Sequence, residues 1–293
     1  MAKLRNQPIT AAELEKYLST ADDFAFELKC LHSLSERTTI RMEHGGTYTD
    51  PVSGKHRQFD IRANIEVVPL RVSLAIECKN LSPAYPLLVS RVPRIESEAF
   101  HQLLIPEPES DLGGGFGLRV PSLVHSNAES ISAPASLYKT GDLVGKSVSR
   151  IGVIADKPGE FQADDSEIFD RWAQAVASAY DLISEADRYF SNDDSDPRAY
   201  WIVPVLVVPE GTLWVADYAK KGAVQAGPHQ VDEVEIYLDH SAWKKGEMFS
   251  YTISHLHFVT AKGLLQLVDR ILLNDRFRRQ ILPPSSDASY PVN

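Results

Sequence analysis

Asp60, Glu77 and Lys79 are the residues of this chain whose types and spacing are best suited to chemistry. They stand at the outer ends of FDIRANIEVVPLRVSLAIECK, Phe59 to Lys79, in which apolar and polar residues alternate on both sides of a Val-Pro-Leu bend. A two-residue turn at Pro69-Leu70 sets Val68 against Arg71. It then opposes Val67 to Val72, Ile65 to Leu74, Ala63 to Ile76 and Ile61 to Cys78, all apolar. The other face opposes Glu66 to Ser73, Asn64 to Ala75, Arg62 to Glu77 and Asp60 to Lys79. A slip of one residue sets apolar side chains against polar ones throughout, which favours this register, and proline suits the first position of the turn. Asp60 and Glu77 are then diagonal neighbours with Cβ atoms about 7–8 Å apart, a separation that one divalent cation bridges from two carboxylates. Lys79 points the same way, opposite Asp60, and the backbone carbonyl of Cys78 lies between them as a third oxygen ligand. Hard oxygen donors with room left for water and phosphate suit Mg²⁺ or Mn²⁺ rather than zinc.

The same alternation also describes a solvated sheet face, with Arg62–Glu77 and Asp60–Lys79 as cross-strand ion pairs worth about 0.2–1 kcal/mol each. Against that stands the position of the charges. They gather at the strand ends, away from the turn, where Ile61 and Cys78 still face the core.

The elements around the hairpin are legible in outline. Thr10-Ala-Ala-Glu13 is a capping-box pattern that opens a short helix reaching Ser19, and Thr20-Ala-Asp-Asp23 offers a second N-cap. The helix that follows places Phe24, Leu28, Leu31 and Leu34 at helical spacing. Glu27 lies on or beside that stripe, either as a site carboxylate or as an edge residue reaching solvent, since an unpaired buried charge is costly. Residues 37–44 read as a strand, and Gly45-Gly46 and Asp50-Pro-Val-Ser-Gly54 supply turns. After Lys79 come a Pro-rich passage, a short helix near Ser97–Leu104 and a loop-rich stretch to Gly159. Residues 165–190 carry Ile168, Trp172, Ala175, Val176, Ala179, Leu182 and Ile183 on one helical stripe. Residues 200–218 read as a buried strand, a Pro-Glu-Gly turn and a returning strand. VDEVEIYLD and YTISHLHFVT are further strands, and AKGLLQLVDRILLNDRFRRQIL is a closing amphipathic helix. The order is helix, three strands, insertion, helix, strand, which makes a layered α/β or α+β domain. The division expected is an N-terminal helix over 1–19, one domain over 20–282 with an insertion at 81–160, and a disordered tail over 283–293.

An aspartate, a strand hairpin and Glu-x-Lys (Asp60…Glu77-Cys78-Lys79), preceded by a helix with a glutamate (Glu27), resemble the restriction-endonuclease-like nucleases of the PD-(D/E)XK superfamily. GGTYTDPVSGKHRQFDIRANIE…LAIECKN looks like the bacterial members in wording as well as spacing. The resemblance is clear over residues 20–80 and looser over 165–218. It implies a mixed central sheet flanked by helices and a metal-dependent endonuclease acting on DNA, in restriction, defence or repair. By that likeness Asp60 and Glu77 are metal ligands for Mg²⁺ or Mn²⁺, Lys79 positions and polarises the attacking water, and Glu27 supports the metal or its water. Phe59 departs from the pattern, standing where the family name has proline, and the family assigns no role to the insertion. Lys55, His56 and Arg57 are candidate phosphate clamps or a solvated basic loop.

Other signals are weaker. TGDLVGKS (140–147) has Thr140 where a P-loop needs its first glycine, and it reads as a turn or helix start. His255 and His257 share a strand face without a third ligand at a suggestive spacing, which favours two polar-face histidines. Leu112-Gly-Gly-Gly-Phe116 is expected to form a mobile loop, either a lid or a linker. The formal net charge of −10 argues against nonspecific coating of nucleic acid. Pro51–Ile95 nevertheless holds seven lysines and arginines against three acidic residues, enough to receive a polyanion locally. Two cysteines with no framework spacing and no apolar span point to a reduced, cytoplasmic protein. The competing expectation is a non-catalytic nucleic-acid-binding or assembly module on the same fold. A homodimer or a partner subunit is compatible with both readings.

Overall fold

The computed structural model describes residues 6–20, 22–50, 53–106, 126–157, 159–164, 166–188, 199–238, 242–245 and 249–283. The triple-glycine loop and all of the tail beyond 283 lie outside them. Helix α1 (Ala11–Thr20) opens on the expected capping box. The Glu13 N–H donates to the Thr10 hydroxyl at 3.3 Å and the Glu13 carboxylate accepts the Thr10 N–H at 2.8 Å. Helix α2 (Asp23–Ser35) is capped by Asp22, whose carboxylate accepts the N–H groups of Phe24 and Ala25. The face that α2 buries is Phe26, Glu27, Cys30 and Leu34. The expected stripe is therefore rotated: Phe24 and Leu28 stand 54% and 41% exposed.

The chain continues through β1 (Ile40–His44), a small hairpin of β2 (Thr47–Thr49) and β3 (His56–Gln58), then β4 (Ile61–Val67) and β5 (Leu70–Cys78). Gly45 makes the turn after β1 at φ +67°. At Gly46 an added Cβ would sit 2.4 Å from the Phe59 ring, so the ring excludes any larger residue there. The stretch expected to be loop-rich instead builds strands: β6 (Leu87–Pro93), β7 (Phe100–Pro106), β8 (Ser126–Ser132), β9 (Leu143–Val153) and β10 (Phe161–Asp164). One 3-10 turn, Glu96–Glu98, precedes β7 where a helix was expected. His101, Leu103 and Leu104 are all buried, on both faces of β7, so no single apolar stripe drives a helix there. TGDLVGKS likewise forms a turn at Gly141, φ +91°, that leads into β9.

Helix α3 (Ser166–Arg188) lies within the expected 165–190, whose end residues 165, 189 and 190 fall outside the described residues. It is followed by β11 (Ala199–Val208), β12 (Leu213–Tyr218), β13 (Val224–Gln230), β14 (Glu233–Tyr237), β15 (Ala242–Lys245), β16 (Phe249–Thr252) and β17 (His255–Thr260). The closing helix is two, α4 (Ala261–Leu273) and α5 (Asp275–Ile281), broken at Asn274, whose side chain caps α5. The main sheet runs β1-β4-β5-β11-β17-β14-β9-β6-β12-β13. β11 lies parallel to both β5 and β17. β12 is not a returning partner of β11, because it pairs with β6 and β13. The insertion strands thus complete the same sheet rather than leaving it.

Two cores cover the two faces of this sheet. On one, Ile61, Ala63, Ile65, Val72, Leu74 and Ile76 pack with Cys30 and Leu34 of α2 and Leu264 and Leu267 of α4. On the other, Ala75, Ile202 and Leu206 pack with Ile168, Ala175, Ala179 and Ile183 of α3. The polar face of the hairpin is therefore covered at its Arg62 end and open only toward the turn, where Glu66 is exposed. Helix α3 supplies that cover and makes Arg62 a buried residue at 2% exposure. Arg62 donates to Asp181 at 2.6 Å, Glu185 at 3.2 Å and Ser178 at 3.3 Å, and its guanidinium lies 4.1 Å from the Phe59 ring centroid. These contacts fasten α3 to β4. Arg62→Met keeps the apolar stem and removes the charge-assisted bonds; an expected loss of about 1.5–3 kcal/mol is measurable by urea denaturation at neutral pH.

No helix of the described residues is long and apolar enough to cross a membrane.

Candidate active site

The β4–β5 pairing runs Val67–Leu70, Ile65–Val72, Ala63–Leu74 and Ile61–Ile76. This lies two residues from the expected register, because the tight turn is Val68-Pro69, joined by a cis peptide. A shift of two keeps every side chain on its own face and changes every partner. The ladder ends at Ile61–Ile76; carried one residue further, its register sets Asp60 beside Glu77 rather than diagonal to it, a spacing of about 4.5–5.5 Å between Cβ atoms in a regular sheet. Arg62 lies opposite Ala75 instead of Glu77. Lys79 has moved past Asp60, and its ammonium donates to Asp23 Oδ2 at 2.9 Å.

Each carboxylate of the site is held differently. Asp60 Oδ2 accepts the Cys78 N–H at 2.7 Å. Cys78 thus meets Asp60 through its amide, and in an extended strand the carbonyl of the same residue leaves by the same edge. Glu77 is fully buried, and among the described residues neither of its oxygens receives a hydrogen bond; its nearest polar neighbour is the Asp60 carboxylate. Glu27, on the buried face of α2, has Oε1 2.6 Å from His44 Nε2 at the end of β1. Phe24 stacks on that imidazole, with ring centroids 6.0 Å apart.

Burial pushes the Glu77 carboxyl well above its usual range, and the neighbouring Asp60 charge pushes it further; Arg171 opposes both. Burial also raises Asp60, against the Cys78 N–H and Arg171. Glu27 is raised by burial and then by Asp60, with His44 pulling the other way. Burial therefore holds protons on all three acidic groups, and the Asp60 charge adds to the effect at Glu77 and at Glu27. Such a cluster is relieved by a shared proton or by a cation. His44→Asn removes the group that most opposes the rise at Glu27. The Glu27 carboxyl carbon, followed by NMR against pH, is expected to titrate higher in that variant than in the wild type.

No family model matches the chain, and no curated protein or solved structure matches it.

Among the described residues no set of three or more His, Cys, Asp or Glu side chains converges as metal ligands. The donor set that fits a hard divalent ion is Asp60 with Glu77, whose orphaned oxygens are the strongest sign. The remaining positions would fall to backbone oxygen and water, as Mg²⁺ prefers. Glu27 stands beside this pair, close enough to feel the charge of Asp60.

Sequence reasoning places Asp60, Glu77, Lys79 and Glu27 at one end of the sheet and misses three neighbours. Asp23, at the first helical position of α2, accepts from Lys79 and from the Asn80 N–H at 2.9 Å each. Arg171 of α3 reaches Asp23 at 3.5 Å. His44 reaches Glu27. Nothing in local spacing marks Arg171, which arrives from across the insertion. Of the basic run before Asp60, Arg57 is tied to Asp50 at 2.9 Å, while Lys55 and His56 are exposed.

The rival pair, His255 and His257, is buried rather than polar-faced. His257 Nδ1 lies 3.1 Å from Glu233 Oε1 and its Nε2 lies 2.9 Å from the Tyr138 hydroxyl. Burial drives His255 well below the usual imidazole range, with Arg94 as the next cause. Both rings lie inside the protein with polar partners within it.

Proposed function

We propose that this chain is a metal-dependent nuclease that hydrolyses phosphodiester bonds, with DNA as substrate, on a restriction-endonuclease-like core. The observation that carries the reading is the juxtaposition of Asp60 with a Glu77 carboxylate that is fully buried and has no donor among the described residues. A protein spends stability on such a group when a bound cation later satisfies it. The order α2, β1, β4, β5, α3, β11, with the four strands adjacent in the sheet as β1-β4-β5-β11, supports the same reading.

A bound Mg²⁺ or Mn²⁺ would neutralise charge on the scissile phosphate and acidify a water. Asp60 and Glu77 would hold it, with Asp60 oriented by the Cys78 amide. Lys79 presents an ammonium on the same side for the negative charge that develops on the phosphoryl oxygens. Glu27, oriented by His44, supports a water beside the pair. Lys55 and His56 offer the first contact for a backbone phosphate.

The competing reading is a non-catalytic nucleic-acid-binding or assembly module, acting alone or with a partner subunit. It is favoured by the net charge of −10 and by the engagement of Lys79 with Asp23. Supercoiled plasmid incubated with the wild-type protein in Mg²⁺, Mn²⁺ and EDTA separates the two. The nuclease reading expects nicking that EDTA abolishes; no cleavage of any nucleic acid with either metal supports the module.

A further inference from the structure

Lys79, Asn80 and Arg171 come from two elements that the insertion separates in sequence, yet they converge on a single carboxylate. Asp23 accepts the Lys79 ammonium on Oδ2 at 2.9 Å and the Asn80 amide N–H on Oδ1 at 2.9 Å, and Arg171 Nη2 lies 3.5 Å from Oδ2. The Asn80 side chain donates to the Asp22 carbonyl at 3.1 Å, which fixes the loop that presents its N–H. An ammonium, a guanidinium and a backbone amide around one small anion form the donor set that proteins use for a phosphate group. The set stands next to Asp60 and Glu77, and Arg171 lowers the proton affinity of both. The occupant stands at the first turn of α2, where it gains from the helix dipole, and it is 27% exposed.

We propose that Lys79, Arg171 and the Asn80 N–H form a phosphate subsite of the nucleic-acid path, and that Asp23 occupies it as a tethered anion that substrate must displace. This rests on the nuclease reading for the identity of the ligand and not for the existence of the anion site. It adds an internal competitor to that reading: the resting site holds its own acidic side chain where a backbone phosphate binds. The lysine that the resemblance assigns to the attacking water is thereby engaged until substrate arrives. An alternative role for Asp23 is to pin α2 to the end of β5, and the two roles predict opposite signs.

Asp23→Asn keeps the shape and an acceptor for the Asn80 N–H but removes the competing charge. The test measures affinity for a fluorescent single-stranded oligodeoxynucleotide and for a duplex of the same sequence, in EDTA at low salt, for the wild type, Asp23→Asn and Asp23→Asn/Lys79→Met. Thermal melting of each variant accompanies it. The proposal expects Asp23→Asn to bind about tenfold more tightly, the effect of relieving about 1.4 kcal/mol of competition, and the added Lys79→Met to cancel the gain. A folded Asp23→Asn that binds no more tightly than wild type overturns it. So does a gain that survives Lys79→Met. If the variant instead melts early, Asp23→Glu retains the charge with a longer reach, and tighter binding by that variant would also overturn the proposal. Metal-dependent nicking is scored separately. Tighter binding without cleavage keeps the anion site and removes the nuclease, whereas cleavage with no gain in Asp23→Asn does the reverse.

Discussion

Asp60→Asn is expected to lower kcat/KM for plasmid nicking by about 10³-fold or more, with the fold intact. The substitution is nearly isosteric and leaves an amide oxygen that still accepts the Cys78 N–H, so the local geometry of Asp60 is preserved. What it removes is one of two anionic donors to a divalent ion that stabilises transition-state charge. Loss of about 4 kcal/mol of such stabilisation corresponds to that factor. The expected signature is a fall in kcat rather than a rise in KM alone, because binding of the nucleic-acid backbone uses other residues. Single-turnover nicking at saturating Mn²⁺ checks it. Activity within a few-fold of wild type would remove Asp60 from the reaction.

Glu77→Gln is expected to abolish activity and yet stabilise the fold at neutral and alkaline pH. In the wild type a carboxyl with no donor lies fully buried beside a second carboxyl. The glutamine amide supplies an N–H toward Asp60 in place of the repulsion. Relief of an unsatisfied buried group is worth on the order of 1–3 kcal/mol, at about 1.5 °C in Tm per kcal/mol for a chain of this size. The sign with pH follows from linkage. The folded Glu77 binds its proton more tightly than the unfolded residue, so folding takes up a proton between the ordinary carboxylate range and the raised value. Wild-type stability falls as pH rises through that window, and the Glu77→Gln curve lacks this decline. The two therefore converge at low pH and separate at high pH, which melting curves in metal-free buffer from pH 4 to pH 9 record. Mn²⁺ should raise the wild-type Tm and leave that of the variant much less changed, since a ligand that binds only the native state stabilises it by mass action.

How much of this could be read from the sequence depends on which physical constraint was at work. Alternation along Phe59–Lys79 fixed the faces of the hairpin, and the apolar faces are those expected. Alternation has a period of two, however, so it cannot distinguish a register from one shifted by two residues. That choice lay with the turn. Pro69 suits the first central position of such a turn and occupies the second. The outcome for chemistry was a closer pair of carboxylates than expected and a lysine displaced toward Asp23. The rotation of α2 is ambiguous for a similar reason. Leu31 and Leu34 satisfy two stripes, and burial of Phe26 and Cys30 decides between them only after α4 and β5 are in place. The covering of Arg62 by α3 was invisible because its partners, Asp181 and Glu185, stand more than a hundred residues away. The insertion reads as loops in the sequence because β8 and β10 take their structure from pairing with β7 and β9 rather than from local alternation. By contrast, α1 with its Thr10–Glu13 capping box and the long stripe of α3 depended on local signals alone, and both appear where they were expected.

The central claim is that Asp60 and Glu77 together receive one divalent cation, and Mn²⁺ binding tests it most directly. Calorimetric titration of metal-free protein with Mn²⁺, with electron paramagnetic resonance on the same samples, should show a site in the wild type and in Arg62→Met that is lost or weakened at least about tenfold in Asp60→Asn and Glu77→Gln. Equal Mn²⁺ affinity in all four proteins, or no binding by the wild type at millimolar metal, would contradict the account.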